Sequence, residues 1–258
     1  MKLGIIADIH SNLEALRSVL DAMRDADSFI CPGDIVGYGP NPNECIEILR
    51  GLDCRTVAGN HDIICAGKLD ASNFSGDARE AIEWTSKVIS QDNREFLKGL
   101  PERLEVDGLE VVHGSLRNPI EEYVMNIQAG AATIELMKKK VCFVGHLHIP
   151  LVVVKEKQGP STGSSGSPQA SSGGPKYDGW QLNDGDVVDV SKFERVIINA
   201  GAVGQPRDMD PRASFGVFDT DRSTVEIRKV KYNIASVQEK MRKADLPDFL
   251  IERLKYGR

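Results

Sequence analysis

The 258-residue chain lacks most of the features that would send it outward, into a membrane or onto nucleic acid. Its five cysteines (Cys31, Cys45, Cys54, Cys65, Cys142) form no Cys-x-x-Cys pair and are odd in number, so their spacing suggests no disulfide framework. Cys31 and Cys142 lie in apolar strand-like runs, where a thiol reads as a small buried hydrophobe rather than a nucleophile. No apolar stretch approaches the length of a membrane span, and the run that ends at Asp8 is too short for the core of a signal peptide. These absences lead to the expectation of reduced thiols in a cytoplasmic protein with no membrane attachment. A net charge of −6 provides no basic footprint and disfavours nucleic acid as a partner, although bound metal would add a local positive field that the formal charge omits.

Histidine is scarce as well, and every one of the five sits in or beside a short motif with Asp, Asn or Gly. In chain order the motifs are Asp8-Ile9-His10, Gly33-Asp34, Gly59-Asn60-His61-Asp62, Val112-His113-Gly114 and Gly145-His146-Leu147-His148. Imidazole, carboxylate and amide oxygen suit Mn, Fe, Co, Ni or Zn better than Mg or Ca, which prefer shells made wholly of oxygen. Asp8, Asp34, Asn60, His113 and His146 each follow a short apolar strand candidate by at most a few residues. In open α/β sheets ligands collect beyond the carboxyl ends of the strands, so strand ends within one sheet are expected to gather these side chains.

The remaining pattern supports such a fold. Apolar runs at Leu3–Ala7, Phe29–Cys31 and Cys54–Val57 read as buried strands. Helical periodicity follows Ser11-Asn12-Leu13-Glu14, which has capping-box spacing, and again follows Asn41-Pro42 as far as about Arg50. Residues 77–99 read as helix with a break near Ser90, and Asp107-Gly108 as a hairpin turn between strands 103–106 and 109–113. A helix over 129–140 precedes strands 141–144 and 149–155, and further strands are expected near 186–190, 194–198, 213–219 and 223–231. Helices over about 234–244 and 247–256 close the chain, with apolar faces that fit either the sheet or a second copy in a homo-oligomer. Residues 159–175, nearly all Gly, Ser and Pro, read as a flexible loop inside a single domain spanning 1–258. The order implies an α/β fold in which a parallel-rich sheet continues into antiparallel strands, with helices outside.

At these motifs the chain resembles the calcineurin-like metallophosphoesterases, whose pattern is D-x-H, G-D, G-N-H-D/E, H and G-H-x-H, and in particular their small bacterial and archaeal branch. Asn199-Ala200-Gly201-Ala202-Val203-Gly204-Gln205-Pro206-Arg207 is similar to a further run of that branch, with Ala200 where proline is usual, a change expected to loosen the turn. The resemblance implies a four-layer α/β/β/α sandwich and two divalent metal ions, with manganese favoured. Asp8, His10 and His148 would hold one ion, Asn60, His113 and His146 the other, and Asp34 would bridge them. A hydroxide between the ions would attack the phosphorus of a small phosphate-ester substrate. His61 would protonate the leaving oxygen with Asp62 orienting it, the bland alternative being that His61 only supports Asn60.

Three weaker candidates complete the expected site. Arg207 could grip a phosphate or pair with Asp208 or Asp210; Asn12 could touch the site or serve the first helical turn; Tyr38 could stack on a leaving group or pack on a helix. The leading function is a phosphodiesterase acting on a small diester or nucleotide. Its alternatives are a phosphomonoesterase, such as a Ser/Thr protein phosphatase or dinucleoside-tetraphosphate hydrolase, and a non-catalytic interaction module.

Overall fold

The computed structural model describes residues 1–72, 74, 76–157 and 175–258, so the loop expected over 159–175 lies outside the described residues up to 174. The chain begins with β1 (Lys2–Ile5), α1 (Leu13–Ala22), β2 (Ser28–Cys31), α2 (Pro42–Gly51), β3 (Arg55–Thr56) and α3 (Asn60–Cys65). Next come α4 (Gly76–Val88), α5 (Gln91–Gly99), β4 (Arg103–Val106), β5 (Leu109–Val112), α6 (Ile127–Ile134) and β6 (Val141–Val144). The chain ends with β7 (Pro150–Glu156), β8 (Tyr177–Gln181), β9 (Val187–Asp189), β10 (Phe193–Ala200), β11 (Ala213–Asp219), β12 (Thr224–Val230), α7 (Ile234–Lys243) and α8 (Asp248–Arg253).

The strands form two six-stranded mixed sheets, ordered β3-β2-β1-β11-β12-β9 and β4-β5-β6-β10-β7-β8. Within the first, β1, β2 and β3 run parallel, and within the second, β5, β6 and β10 do so. The period-2 alternation of strand side chains makes the layering explicit. Val141 and Phe143 of β6, Val152 and Val154 of β7, and Val196 and Ile198 of β10 meet Leu3, Ile5, Ile30 and Phe218 between the sheets. Their alternates Cys142, Val144, Val153 and Ile197 pack outward with Ile134 of α6 and Met137. On the other outer face Leu16 and Val19 of α1 and Ile46 and Leu49 of α2 cover Phe215 and Val217 of β11. The result is two mixed sheets face to face with helices outside.

Local chemistry accounts for where the elements begin and end. Asn12, not Ser11, caps α1 by accepting from the Ala15 N–H at 3.1 Å. The break near Ser90 separates α4 from α5, with Ser90 Oγ accepting from Asn93 N–H. Asp107 (φ 50°) and Gly108 (φ 79°) both adopt the left-handed region that a two-residue hairpin turn requires. The helix expected over 129–140 covers only Ile127–Ile134, because the buried Glu110 carboxylate accepts from the Lys138 and Lys139 N–H groups and ends the helical hydrogen bonding there. The Gly59-Asn60-His61-Asp62 motif opens helix α3, with Gly59 at the N-cap. Strand β8 was not legible because Tyr177-Asp178-Gly179-Trp180-Gln181 is a largely exposed edge strand without apolar alternation.

The terminal helices pack on their own chain: Val237, Met241, Leu250, Ile251 and Leu254 cluster with Tyr38 and with Ala81 of α4. No helix of the described residues is long and apolar enough to cross a membrane. Phe143, wholly buried and 6.0 Å from the Phe218 ring of the opposing sheet, bears most directly on the sandwich. Phe143→Ala is expected to cost about 3–5 kcal/mol of unfolding free energy in urea titration. A loss below about 1 kcal/mol would mean the two sheets are not joined through this contact.

Candidate metal centre

The strand-end spacing predicts that one sheet gathers these side chains, but the structure draws them from two. Asp8 and His10 follow β1, Asp34 follows β2 and Asn60 follows β3 of the first sheet. His113 follows β5, and His146 and His148 follow β6 of the second. The parallel part of each sheet therefore ends at the same end of the sandwich. Five of these residues turn the chain in the left-handed region immediately after their strands: Asp8 (φ 52°), His10 (46°), Asp34 (54°), His146 (69°) and His148 (63°). That conformation costs about 1 kcal/mol or more in an L-residue and persists only where the surroundings enforce it.

The surroundings are a mesh of backbone bonds. Asp62 accepts from Ile35 N–H (2.9 Å), Val36 N–H (3.1 Å) and Gly59 N–H (3.0 Å), tying the loop after β2 to the start of α3. Its oxygens are thereby committed to the backbone, which corrects the expectation that Asp62 orients the His61 ring. A Cβ on Gly59 would stand 2.0 Å from Asp34 Oδ1, so only glycine allows α3 to approach this closely. Val203 N–H and Gly204 N–H donate to the carbonyls of Ala7 and Asp8, pinning the segment after β10 onto the turn after β1. Ala200 does not loosen that segment: Asn199 Oδ1 accepts from Gly201 N–H at 2.8 Å, and Ser214 Oγ donates to the Ala200 carbonyl at 2.7 Å. Asn12 donates to the Gly204 carbonyl and accepts from Ala15, so both ends of its amide serve the fold and it does not line the cavity.

Two groups of ligand-type atoms result, Asp8/His10/Asp34/His148 and Asp34/His113/His146, all buried and sharing Asp34. Asp34 Oδ2 lies 3.6 Å from His10 Nε2 and 3.4 Å from His113 Nε2, while Oδ1 accepts from the His61 N–H. A single oxygen therefore faces both groups. Asn60 Oδ1, 3.1 Å from His113 Nε2, joins the second group.

The hydrogen-bond partners show that these atoms suit cations. His10 Nδ1 donates to the Val36 carbonyl (3.1 Å) and His148 Nδ1 to the Gln205 carbonyl (2.7 Å), leaving two lone pairs face to face at Nε2···Nε2 3.0 Å. His113 Nδ1 likewise donates to Pro32 O (2.8 Å) and His146 Nε2 to Glu121 O (3.2 Å), so the lone pairs of His113 Nε2 and His146 Nδ1 meet at 3.0 Å. Asp8 Oδ2 is buried without a hydrogen-bond partner among the described residues. Burial keeps the imidazoles neutral: it pushes His113 down to about 3 and His146 to about 2, and His10 and His148 well below the usual value. It also lifts Asp8 to about 8 and Asp34 well above the carboxylate range. Imidazole lone pairs crowded face to face beside two buried carboxyls, each ring fixed from behind by a backbone carbonyl, are the arrangement that divalent ions stabilise by displacing the carboxyl protons.

A cavity of about 430 Å³ opens over this centre, lined by ligand side chains together with Tyr38, His61, Phe74, Ala78, Glu121, Tyr123 and Arg207. His61 Nδ1 is turned toward Gly37 and has no hydrogen-bond partner among the described residues, and the ring edge meets Phe74 at 5.0 Å between centroids. The Tyr38 ring lies 4.6 Å from that of His10 and 4.4 Å from that of His61, with the Arg207 guanidinium 5.9 Å above it. Arg207 pairs with neither acidic neighbour: Asp208 is held by Lys229 and Asp210 by Arg212, and among the described residues Arg207 donates to Gln205 Oε1 at 3.0 Å. Phe74, Glu121 and Tyr123 escaped sequence reasoning; the available signal was an aromatic residue within the polar stretch after His113. The free cysteines do not line the cavity, and burial raises Cys54 and Cys65 to about 12, which removes the thiol as a nucleophile.

Truncating Asp62 to Ala would strand three buried N–H donors. It is expected to destabilise the metal-free protein by about 3 kcal/mol or more, read from thermal or denaturant unfolding. Unchanged stability combined with slowed turnover would instead assign this carboxylate to the His61 imidazole.

Comparison with known proteins agrees with this geometry. Residues 1–223 match the model of the calcineurin-like phosphoesterase superfamily domain. The uncharacterized protein MJ0912 of Methanocaldococcus jannaschii is 37% identical over 263 residues, covering 99% of this chain and 98% of its own. The crystal structure of a metallophosphoesterase from Sphaerobacter thermophilus is 41% identical and superposes with a TM-score of 0.84, each chain covered in full. The hypothetical protein PH1004 of Pyrococcus horikoshii OT3 shares the fold at 18% identity, with a TM-score of 0.76 over 100% of this chain and 98% of its own. The ligand-type residues at two sets of strand ends and the whole-length match lead to one conclusion: the chain belongs to the calcineurin-like phosphoesterase superfamily.

Proposed function

We propose that the protein is a dinuclear metal-dependent phosphoesterase that prefers phosphodiesters. The observation that carries this reading is the single oxygen, Asp34 Oδ2, facing two separate groups of buried acceptors. Asp8, His10, His148 and Asp34 would hold one ion, and Asp34, Asn60, His113 and His146 the other. When bound, two divalent ions supply Lewis acidity toward phosphoryl oxygens and lower the pKa of water. The mixed nitrogen and oxygen donors fit Mn, Fe, Co, Ni or Zn, and manganese is the first ion to test.

The side chains around the centre bind and orient the ester. Arg207, its fork free of carboxylates, meets the phosphoryl oxygens. With Nδ1 turned to Gly37, His61 has Nε2 left to face the cavity and the leaving oxygen. Burial and the Arg207 charge hold this imidazole neutral in the free protein. A bound phosphoryl anion offsets the Arg207 repulsion and lets Nε2 carry the proton that the leaving group takes. Preference for a diester follows from the charges lining the cavity. Beyond the ions, Arg207 is the one guanidinium and Glu121 the one acidic residue outside the ligand set that line the cavity among the described residues, so a single added positive charge awaits the phosphoryl group, which suits the one negative charge of a diester. Completeness of the seven ligand side chains argues against a purely structural interaction module.

With manganese, kcat/KM for bis(p-nitrophenyl) phosphate is expected to exceed that for p-nitrophenyl phosphate about ten-fold or more; the reverse order would make the protein a monoesterase. Chelation should abolish turnover and lower the melting temperature, since ions at a hundred-fold excess over Kd contribute about 2.7 kcal/mol per site. Asp34→Asn is expected to reduce both bound metal and rate, the latter about a hundred-fold; two retained ions at full rate would refute the bridge. His61→Gln should cut kcat about a hundred-fold with metal content preserved.

A further inference from the structure

A ring on the substrate cannot lie against Tyr38, because the His10 and His61 rings and the Arg207 guanidinium already surround it. Tyr123 differs. One face of its ring stacks on the ligand-type imidazole of His146, with centroids 3.7 Å apart and planes at 13°. The side chain remains 39% exposed and lines the cavity, so its second face is available from the same space that receives the phosphate. Among the described residues His146 is its only aromatic neighbour.

The charge around Tyr123 narrows what can occupy that face. Glu121, two residues away and on the same cavity wall, makes no ion pair among the described residues. Its main-chain carbonyl accepts from His146 Nε2, which fixes the segment carrying both side chains. An acidic residue on this wall disfavours a second phosphate and suits an uncharged ring that bears N–H groups. Arg207 lines the cavity as well and supplies the positive charge for the anion. The cavity thus has a cationic element for a phosphate and a stacking element with a hydrogen-bond acceptor for a flat, nitrogen-rich group.

We propose that the open face of Tyr123 is a subsite for the base of a nucleoside esterified to the phosphate, a proposal that rests on the phosphoesterase reading above. A base stacked there extends the column His146–Tyr123 by one ring, an arrangement every nucleobase can join because each has a π-face. The substrate class is then a nucleotide diester rather than a simple alkyl or sugar diester.

The test compares binding of adenosine 5′-monophosphate and ribose 5-phosphate to the manganese-loaded full chain by calorimetry. The nucleotide is expected to bind about ten-fold more tightly. Tyr123→Leu keeps an apolar cover on His146 and is expected to bring the affinity ratio close to one. If Tyr123 only positioned His146, the substitution would weaken both ligands together and leave the ratio intact, which overturns the subsite. A ratio near one in the unsubstituted protein, with turnover of diesters intact, overturns the subsite alone. Failure to bind either phosphate, with no turnover of any ester, overturns the phosphoesterase reading and the subsite together.

Discussion

Mutual repulsion among buried hydrogen-bond acceptors sets the terms for the rest of this structure. Four imidazole lone pairs, two carboxyl groups and an amide oxygen converge in a buried space, and the N–H of each of the four imidazoles is directed outward to a backbone carbonyl. Such a cluster would drift apart on flexible loops. Here each member leaves the end of a strand, the strands lie within two sheets that share a dry interior, and the turns between are stitched to one another by main-chain hydrogen bonds. The layered fold holds together charges and dipoles that would otherwise separate.

Part of that holding is stored as backbone strain. Five of the seven ligand-type residues adopt a left-handed conformation, together several kcal/mol less favourable than extended or helical alternatives. The conformation has a geometric use. It reverses the chain directly beyond the strand, so that Asp8 and His10, or His146 and His148, reach the centre from positions two apart. The three backbone bonds to Asp62 and the close contact at Gly59 show where the compensation lies.

The sequence disclosed the centre more fully than the architecture around it. Asp8, His10, Asp34, Asn60, His113, His146 and His148 were legible because rare residue types followed apolar runs at short intervals, and the structure brings all of them together. Asp62 was misread because adjacency to His61 in sequence does not reveal that its oxygens face the backbone of another loop. The distribution of ligands over two sheets was hidden as well: a strand end looks alike in sequence whichever sheet receives it. Tyr123 and Phe74 reach the cavity through the path of irregular loops, which carry no periodicity from which a direction could be read. Short or polar elements failed for a related reason. Strand β8 lacks alternation, and α3 is a single short helix behind a motif that resembles a turn.

The division of ligands between sheets also makes the centre depend on the whole sandwich. Each group of acceptors takes members from both sheets, so neither half of the sandwich can retain an ion firmly by itself. His148 moreover owes its tautomer to the carbonyl of Gln205, which emerges from the ribosome well after the other ligands have been synthesised. The cluster therefore depends on parts of the chain as far apart as Asp8 and Gln205, and its geometry is complete only when both sheets are assembled.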